Sequence, residues 1–505
     1  MPALTAATTR WGPTAAAPFA AAALATPNRP AVIDDTGSVS FSELDRRSTD
    51  VARGLHRIGV GRGERVGVAS RNHREFVEVT VAAAKAGLGV VYLNTSFAAP
   101  QMCEVVEREQ VAALVIDDAL LDLIDELAIG LPVVVTGRTT DRPRGAGHLT
   151  LAEVRRRGEG GRPLRACLPV PPVLLTSGTT GTPKGAQRSN KVDPAAVTGI
   201  IERIPYRHDD VVAITSPLFH AWGLAQLLLA SSLGATVVVA EVFDAAATLA
   251  QIERERVSVL AVVPAILQRL LACPEIDSTD LSSLRIVASS GSALPVPVVE
   301  EWMDRVGPNL YNLYGSTEVG QATLATPTML ESEPATAGRA LPGSTIAIVD
   351  EAGDEVPTGT VGRIFVGNGA QFDRYTGGGG KEIVRGLMSS GDVGYLTDDG
   401  LLFVTGRADD MIVSGGENVF PREVEDLLLA HPDIDDAAVV GVDDAEFGQR
   451  LAAYVVLRDG CTLSAGAVTR LVSTRLARHT TPRDVVFVDA LPRTATGKIR
   501  RNQLH

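Results

Sequence analysis

The stretch from Leu174 to Gly185, which reads LLTSGTTGTPKG, constrains the chain more than any other. The apolar run before it predicts the end of a buried strand, and glycines, hydroxyl side chains and Lys184 follow that run. Glycine permits turns with positive φ, and hydroxyls and backbone N–H groups in such turns bind anions. Pro183 stands where a Walker loop has its second glycine. The stretch therefore predicts either a phosphate-binding loop of another design or an ordinary polar surface loop.

The length and charge of the chain exclude several classes of protein. With 505 residues, the chain exceeds what one core usually supports, so we expect at least two domains. A formal net charge of −13 argues against general affinity for nucleic acid or anionic membranes. The cysteines lie far apart without C-x-x-C spacing, which suits a reducing cytosol. No apolar run reaches the ~18 residues of a membrane span, so we expect a cytoplasmic protein.

Alternation of strand and helix patterns predicts an α/β fold with parallel sheets covered by helices. Ser40 is the expected N-cap of a helix from Phe41 to Ile58, with Glu43 completing a capping box. Short strands between Gln321 and Val366 predict a small β lobe, and a compact α+β domain follows residue 406. We expect residues 1–13 to be poorly ordered and residues 137–170 to form an exposed connection.

Several polar residues follow predicted strands, where open α/β sheets bind their ligands. Glu318 offers a carboxylate for Mg²⁺, and Tyr314 and Asn312 offer a flat ring and an amide for a purine. Asp392 could accept hydrogen bonds from ribose hydroxyls, and Arg407 could bind ribose or phosphate. Taken singly, each of these residues is equally explained as a core tyrosine, a turn acid or a surface charge.

Two further positions have competing structural explanations. His220 lies in the apolar, aromatic run PLFHAWG and could line an acyl pocket, although a lone histidine is more often structural. Lys498 lies on a Gly-Thr loop near the end of the chain. It belongs either to a solvated basic tail or to a mobile segment that brings a cation to a carboxylate and an α-phosphate.

The motifs and their order resemble the adenylate-forming superfamily, and most closely its bacterial fatty-acyl-CoA ligases. The motifs are Ser-Gly-Thr-Thr-Gly-x-Pro-Lys-Gly, Tyr-Gly-x-Thr-Glu, Gly-Asp, Gly-Arg-x-Asp-Asp and Pro-Arg-Thr-x-x-Gly-Lys. The resemblance implies a large N-terminal domain of two αβ sheet layers plus a small β lobe, residues 1–407. A small mobile α+β C-terminal domain, residues 408–505, would follow it.

The resemblance also implies roles for the residues that match these motifs. ATP would be bound by Thr176, Ser177, Gly178, Thr179, Thr180, Gly181, Lys184, Ser290, Gly291, Ser292, Asn312, Tyr314, Gly315, Ser316, Thr317, Asp392, Arg407 and Lys498. Lys498, Thr317, Glu318 and His220 would be catalytic, with Glu318 binding Mg²⁺. Asp409 would be the hinge, and Gly415 and Gly416 would line the CoA tunnel. His220, Trp222 and Gly223 would line the acyl pocket.

The implied reaction has two steps and uses ATP, Mg²⁺ and CoA. A fatty or aryl carboxylic acid attacks ATP to give an acyl-adenylate and pyrophosphate, and CoA then displaces AMP. The stretch Leu387–Ser390 and the glycine-rich loop Tyr375–Lys381 depart from the family pattern and leave the geometry near Asp392 open. Three alternatives also stay open: transfer to an acyl carrier protein, activation of nitrite for diazotisation of an aryl amine, and an inactive nucleotide-binding relative.

Overall fold

A computed structural model describes residues 2–125, 130–137, 147–164, 169–176, 183–187, 194–414, 417–444, 448–494 and 497–504. The chain divides into two compact units. Unit 1 comprises residues 1–262, 272–288 and 369–380, and unit 2 comprises residues 263–271, 289–368 and 381–505. The predicted domain boundary between residues 407 and 408 lies inside unit 2 and stays a prediction.

The helices and strands follow the chain in this order. The helices are α1 (Pro2–Trp11), α2 (Ala16–Ala25), α3 (Phe41–Arg57), α4 (Arg74–Ala86), α5 (Ala99–Arg108), α6 (Asp122–Asp125), α7 (Leu151–Gly158), α8 (Pro194–Arg203), α9 (Ala221–Leu233), α10 (Ala245–Arg254), α11 (Pro264–Leu271), α12 (Val296–Arg305), α13 (Pro327–Ser332), α14 (Pro421–Leu429) and α15 (Ala465–Arg475). The strands are β1 (Pro30–Asp34), β2 (Gly37–Ser40), β3 (Arg65–Ala69), β4 (Gly89–Tyr92), β5 (Val111–Asp117), β6 (Val133–Thr136), β7 (Leu149–Thr150), β8 (Val173–Thr176), β9 (Lys184–Gln187), β10 (Val211–Ile214), β11 (Thr236–Val238), β12 (Val259–Val262), β13 (Ile286–Ser289), β14 (Leu310–Ser316), β15 (Gly320–Ala325), β16 (Arg339–Ala340), β17 (Thr345–Val349), β18 (Gly362–Gly367), β19 (Arg374–Tyr375), β20 (Ile383–Val384), β21 (Leu387–Leu396), β22 (Leu402–Arg407), β23 (Ile412–Ser414), β24 (Glu417–Val419), β25 (Ile434–Asp444), β26 (Gly448–Leu457) and β27 (Asp484–Phe487).

Unit 1 contains strands of the two αβ sheets that the sequence predicts. One has the order β19-β9-β8-β4-β3-β5-β6-β7, parallel from β8 to β7 and antiparallel at β8–β9–β19. In the other, β12, β10, β11 and β1 run parallel in that order. Because the strands are parallel, their carboxyl ends meet at one edge of each sheet, where binding residues are expected.

Unit 2 contains the small β lobe and the α+β lobe. Strands β17, β18, β21 and β20 form an antiparallel sheet in that order, with β22 paired to β21. Strands β24, β23, β26 and β25, with β27 on β26, form the sheet of the C-terminal lobe (residues 412–504). Apolar side chains from this sheet and from α14 and α15 form the core of the lobe.

Two of the expectations for irregular segments are wrong. Residues 2–11 form helix α1 rather than a poorly ordered end, because Ala7 and Trp11 are buried. Within residues 137–170, Leu151–Gly158 forms helix α7, whose Leu151 and Val154 are buried. The expected cap at Ser40 is confirmed: its hydroxyl accepts a hydrogen bond from the Glu43 backbone N–H. The capping box is not formed, because the Glu43 carboxylate pairs with Arg47 instead. Among the described residues, none of the helices has the length and hydropathy that crossing a membrane requires.

Candidate active site

The predicted phosphate loop connects two paired antiparallel strands of unit 1. Strand β8 ends at Thr176, which lies opposite Lys184 at the start of β9. The Thr176 hydroxyl donates to the Lys184 carbonyl at 3.3 Å. The Lys184 ammonium lies 5.4 Å from the centroid of the Tyr375 ring, which belongs to the glycine-rich loop. The predicted loop residues Ser177, Gly178, Thr179, Thr180 and Gly181 lie outside the described residues.

The predicted acyl-pocket residues of unit 1 lie at the start of helix α9. His220 is the residue before the helix, and its ring centroid lies 4.5 Å from that of Phe219. The Trp222 indole N–H donates to the Val262 carbonyl at 2.9 Å, so the indole has a fixed position. A Cβ on Gly223 would lie 2.3 Å from the Pro217 carbonyl oxygen, so only glycine fits there.

Asn72, which is not among the predicted site residues, holds the segment before His220. Its side-chain amide donates to the Ser216 carbonyl at 2.9 Å and accepts from the Leu218 N–H at 2.8 Å. Asn72 is buried, and its side chain gives the Ser216 carbonyl and the Leu218 N–H the hydrogen-bond partners that a strand or helix would otherwise supply. A sequence signal was available, because Asn72 lies just beyond the carboxyl end of the apolar strand β3.

In unit 2, three predicted ribose and adenine residues form one group, the Asp392 cluster (Tyr314, Asp392 and Arg407). The Tyr314 hydroxyl donates to Asp392 Oδ2 at 2.7 Å, and Arg407 Nη1 donates to Asp392 Oδ1 at 3.2 Å. Asp392 and Arg407 are also paired in register across β21 and β22. Burial, and then Asp392, raise the pKa of Tyr314 well above its ordinary value, so the phenol stays a donor.

The departure at Leu387–Ser390 leaves Asp392 well supported. This stretch begins β21, and the Ser390 hydroxyl donates to the Ile364 carbonyl at 3.0 Å. The same hydroxyl accepts from the Asp392 N–H at 3.0 Å. Gly391 between them has φ +85°, a left-handed conformation that favours glycine. Serine therefore fixes the turn that presents the Asp392 carboxylate.

Glu318 lies in the turn between β14 and β15. The Ser316 hydroxyl donates to Glu318 Oε2 at 3.0 Å and accepts from the Glu318 N–H at 3.2 Å, which restricts the carboxylate. Gly315 is at a shift in the strand register, and a Cβ there would lie 2.1 Å from the Gly320 carbonyl oxygen. Thr317 lies in the same turn and is partly buried.

The predicted adenine loop, Ser290 to Ser292, follows β13. Ser290 is buried, and Gly291 has φ +94°. A Cβ on Gly291 would lie 3.4 Å from the Val263 side chain. Asn312 on β14 donates its amide to the Thr336 carbonyl at 3.3 Å. The Asn312 amide is therefore held by a hydrogen bond, and Ser290 is shielded from solvent.

Lys498 lies within the electrostatic reach of these residues. Desolvation lowers the pKa of Lys498, the carboxylates of Asp392 and Glu318 act to raise it, and Arg407 acts to lower it further. Lys498 is an exposed residue. The position equivalent to Cβ on the preceding Gly497 lies 2.7 Å from Ala265 and 3.9 Å from Val263. Val263 thus lies near both the Lys498 segment and the Gly291 loop.

The predicted hinge residue, Asp409, contacts Arg407. Arg407 Nη2 donates to Asp409 Oδ2 at 3.4 Å. Asp392, Asp409 and Asp410 raise the pKa of Arg407, although burial alone would lower it. Gly415 and Gly416 lie outside the described residues. Among the described residues, no group of three or more His, Cys, Asp or Glu side chains could hold a metal ion.

Comparison with known proteins identifies the family. Residues 19–376 match the model of the AMP-binding enzymes, and residues 423–498 match the model of their C-terminal domain. The chain is an AMP-binding enzyme. The indoleacetate–CoA ligase of Aromatoleum aromaticum is 34% identical to this AMP-binding enzyme, over 95% of each chain.

Solved structures extend the likeness of this AMP-binding enzyme to its whole fold. The o-succinylbenzoate–CoA synthetase of Bacillus subtilis, solved with its acyl-adenylate, has a TM-score of 0.83 at 28% identity. The match covers 96% of this chain and 97% of the synthetase chain. The amide bond synthetase of Marinactinospora thermotolerans has a TM-score of 0.84 at 28% identity, covering 96% and 98%. The predicted fold and reaction class are confirmed: the chain is an acid–thiol ligase that uses ATP, Mg²⁺ and CoA.

Proposed function

We propose that this AMP-binding enzyme activates an aryl or arylalkanoic acid, and that the Asp392 cluster and Lys498 bind the nucleotide together. One observation supports the proposal on nucleotide binding. Tyr314, Asp392, Arg407, Glu318 and Lys498 come from four separate stretches of the chain, and each interacts with another member of the set.

The proposal for the class of acid rests on the residues at the start of helix α9. The indole of Trp222, fixed by its bond to Val262, would narrow an acyl pocket beside His220 and Gly223. A narrow, aromatic-lined pocket favours a flat ring over a long alkyl chain. The indoleacetate–CoA ligase and the o-succinylbenzoate–CoA synthetase, whose names refer to aromatic acids, support the same class.

The predicted residues then have roles in binding ATP or the acid. Asp392 would accept hydrogen bonds from the ribose hydroxyls, with Arg407 beside it. Ser290, Gly291, Ser292, Asn312 and Tyr314 would contact adenine, and Thr317 a phosphate. Residues 176–181 and Lys184 would bind the phosphates. His220, Trp222 and Gly223 would line the acyl pocket.

The residues present fit Mg²⁺ bound mainly through the substrate. Mg²⁺ keeps several waters and is usually held by one or two carboxylates plus phosphate oxygens. Glu318, restrained by Ser316, supplies one such carboxylate, which agrees with the absence of a larger acidic group among the described residues. When bound, the ion would neutralise phosphate charge.

In the proposed reaction, a carboxylate oxygen of the acid forms a bond to the α-phosphorus of ATP. The bond from that phosphorus to the β-bridging oxygen breaks, and pyrophosphate leaves. Lys498 offsets the charge of the two anions as they approach, which is electrostatic stabilisation of the transition state. The CoA thiol then loses its proton to solvent and attacks the acyl carbon. The bond from that carbon to the oxygen bridging to phosphorus breaks, and AMP leaves with this oxygen, which the acid contributed.

A rotation between the two steps completes the proposal. Residues 408–505 would turn about Asp409, withdrawing Lys498 and bringing Gly415 and Gly416 to the CoA tunnel.

ATP–pyrophosphate exchange across a panel of acids tests the substrate class. Indole-3-acetate, benzoate and cinnamate are compared with octanoate, palmitate and nitrite. We expect exchange with aryl acids to exceed exchange with fatty acids by at least about tenfold, a difference of ~1.4 kcal/mol. Faster exchange with palmitate would show that the pocket is a fatty-acid tunnel, and exchange with nitrite alone would support diazotisation.

The acceptor is tested in the same assay by adding CoA, a phosphopantetheinyl carrier protein or an amine to the preformed adenylate. The likeness to an amide bond synthetase makes the amine a specific second candidate. Release of AMP with CoA alone is the expected result. Release with the amine or the carrier protein, and not with CoA, would contradict it.

A further inference from the structure

We propose that Arg493 and Arg501 are positioning residues that fix the segment carrying Lys498 onto the C-terminal lobe. This inference rests on the role proposed above for Lys498. The two arginines flank the lysine in sequence, one on each side, and each pairs with a carboxylate of a different element in the lobe.

Hydrogen bonds join Thr494 to the two described residues Gly497 and Lys498. The Thr494 N–H donates to the Lys498 carbonyl at 2.7 Å, and the Gly497 N–H donates to the Thr494 carbonyl at 2.8 Å. The Lys498 N–H donates to the Thr494 hydroxyl at 3.1 Å. Gly497 has φ +78°, which favours glycine. These bonds hold Thr494, Gly497 and Lys498 near one another, but they alone do not attach the segment to the lobe.

Arg493 attaches the segment from its N-terminal side. One guanidinium nitrogen donates to the Gly497 carbonyl, and the other donates to Asp436 Oδ2 at 2.6 Å. Asp436 lies on strand β25, in the sheet of the lobe. The side chains of Arg493 and Asp436 are 28% and 18% exposed, so the pair is largely shielded from water. One side chain thus joins the peptide before Lys498 directly to the sheet.

Arg501 attaches the chain on the other side. Its guanidinium makes a two-bond contact with Glu425 of helix α14, at 2.5 Å and 2.9 Å, and Nη1 also donates to the Val439 carbonyl at 2.6 Å. Glu425 in turn accepts from the Val439 N–H at 2.7 Å. Arg501 Nε lies 3.5 Å from Asp410, next to the predicted hinge. Paired bonds of this geometry fix direction as well as distance.

Attachment on both sides matters because the lysine side chain is long and flexible. The four methylene groups of Lys498 allow its charge to move widely unless the Cα position is fixed. Adenylation needs that charge at one place between two anions, and a displacement of about 1 Å can cost about 100-fold in rate. Loss of either attachment should therefore slow adenylation, while the lobe itself stays folded around its own core.

The test measures the two half-reactions separately in the full-length enzyme. We expect Arg493→Ala and Asp436→Asn each to slow ATP–pyrophosphate exchange about 10- to 100-fold. Transfer from preformed acyl-adenylate to CoA should stay within about threefold, since it does not need Lys498 in place. Arg493→Lys, which keeps the charge but not the two-pronged geometry, should be intermediate.

Arg450→Met is the matched control. Arg450 pairs with Asp484 at 2.7 Å in the same lobe, on strand β26, but contacts no described residue of the Lys498 segment. It should leave both half-reactions unchanged. Equal losses in both half-reactions for Arg493→Ala and Asp436→Asn would show a general structural role and overturn the inference.

Lys498→Ala separates failure of this inference from failure of the proposed function. If the positioning role is right, Arg493→Ala adds no further loss of exchange in the Lys498→Ala background. If the fold-losses of exchange in the two single variants multiply in the double variant, the inference is overturned, while the role of Lys498 stays intact. Normal exchange by Lys498→Ala itself would overturn the proposed role of Lys498, and the positioning role with it.

Discussion

At the scale of single residues, Tyr314 is as much a support for Asp392 as a surface for adenine. Its hydroxyl donates to the carboxylate that we propose binds ribose. Tyr314→Phe removes this donor, and loss of one hydrogen bond to a charged group costs about 1.5 kcal/mol or more. We therefore expect the KM for ATP to rise about tenfold, with the KM for the acid unchanged.

Steady-state kinetics with each substrate varied in turn measure this effect. Tyr395→Phe, on the same strand β21, is the control, because the Tyr395 ring stacks on Phe403 outside the Asp392 cluster. An equal rise in the KM for ATP in both variants would mean that the Tyr314 hydroxyl has no particular role in binding the nucleotide.

Asp34 gives a prediction for the dependence of stability on pH. Burial alone would raise the pKa of Asp34, but hydrogen bonds from Arg74 and Thr36 lower it from 3.8 to about 2. Because the pKa is lower in the folded state, this stabilisation is present above pH ~4 and is lost as the pH falls towards ~2. Asp34→Asn should reduce the free energy of unfolding by about 2 kcal/mol at pH 7.

Urea unfolding at pH 7 and at pH 3 measures the difference between wild type and Asp34→Asn. The difference in the free energy of unfolding should be smaller at pH 3. Asp35→Asn serves as the control, since Asp35 is the exposed neighbour on the chain. A difference that does not change with pH would show that the effect of Asp34 is not electrostatic.

At the scale of elements, helices α3 and α7 cross at two glycines. A Cβ on Gly54 would lie 2.0 Å from the Val154 carbonyl oxygen, and one on Gly158 would lie 1.7 Å from the Asp50 carbonyl oxygen. Gly54→Ala must therefore push the helices apart, and we expect a loss of about 1 to 3 kcal/mol in the free energy of unfolding.

Gly466→Ala in helix α15 is the matched control, because nothing lies within 4 Å of the position of its added Cβ. Alanine in place of a helical glycine without a clash stabilises a protein by about 0.4 to 1 kcal/mol. Urea unfolding should therefore change in opposite directions for the two variants. A stabilising Gly54→Ala would show that the two helices can separate without loss.

At the scale of the whole molecule, the proposed rotation about Asp409 predicts that blocking it impairs acyl transfer and spares adenylation. Loss of Lys498 should do the opposite. Proline fixes φ and removes the N–H, so Asp409→Pro should restrict the turn of residues 408–505. We expect transfer from acyl-adenylate to CoA to fall by about tenfold or more, while ATP–pyrophosphate exchange is retained.

Asp409→Asn is the control for this prediction. It removes the charge that contacts Arg407 but leaves the backbone free to rotate. It should retain both half-reactions. A loss of exchange in Asp409→Pro as large as the loss of acyl transfer would mean that rotation at this residue does not separate the two steps.

The sequence determined the features that depend on neighbours within a few residues. The cap at Ser40, the helix that begins at Phe41 and the strand before the phosphate loop follow from local hydrogen bonds and apolar periodicity, so their prediction was confirmed. The order of the motifs also determined the family and the reaction class, because each motif is contiguous.

Only the tertiary structure decided which distant residues meet. Tyr314 and Asp392 are 78 positions apart, Arg493 and Asp436 are 57 apart, and Asn72 and Ser216 are 144 apart. Such pairs depend on which strands are adjacent and in which register, and a shift of one residue would turn each side chain to the other face of its sheet. Helix α1 was missed for the same reason, since the burial of Ala7 and Trp11 depends on surfaces supplied by other elements.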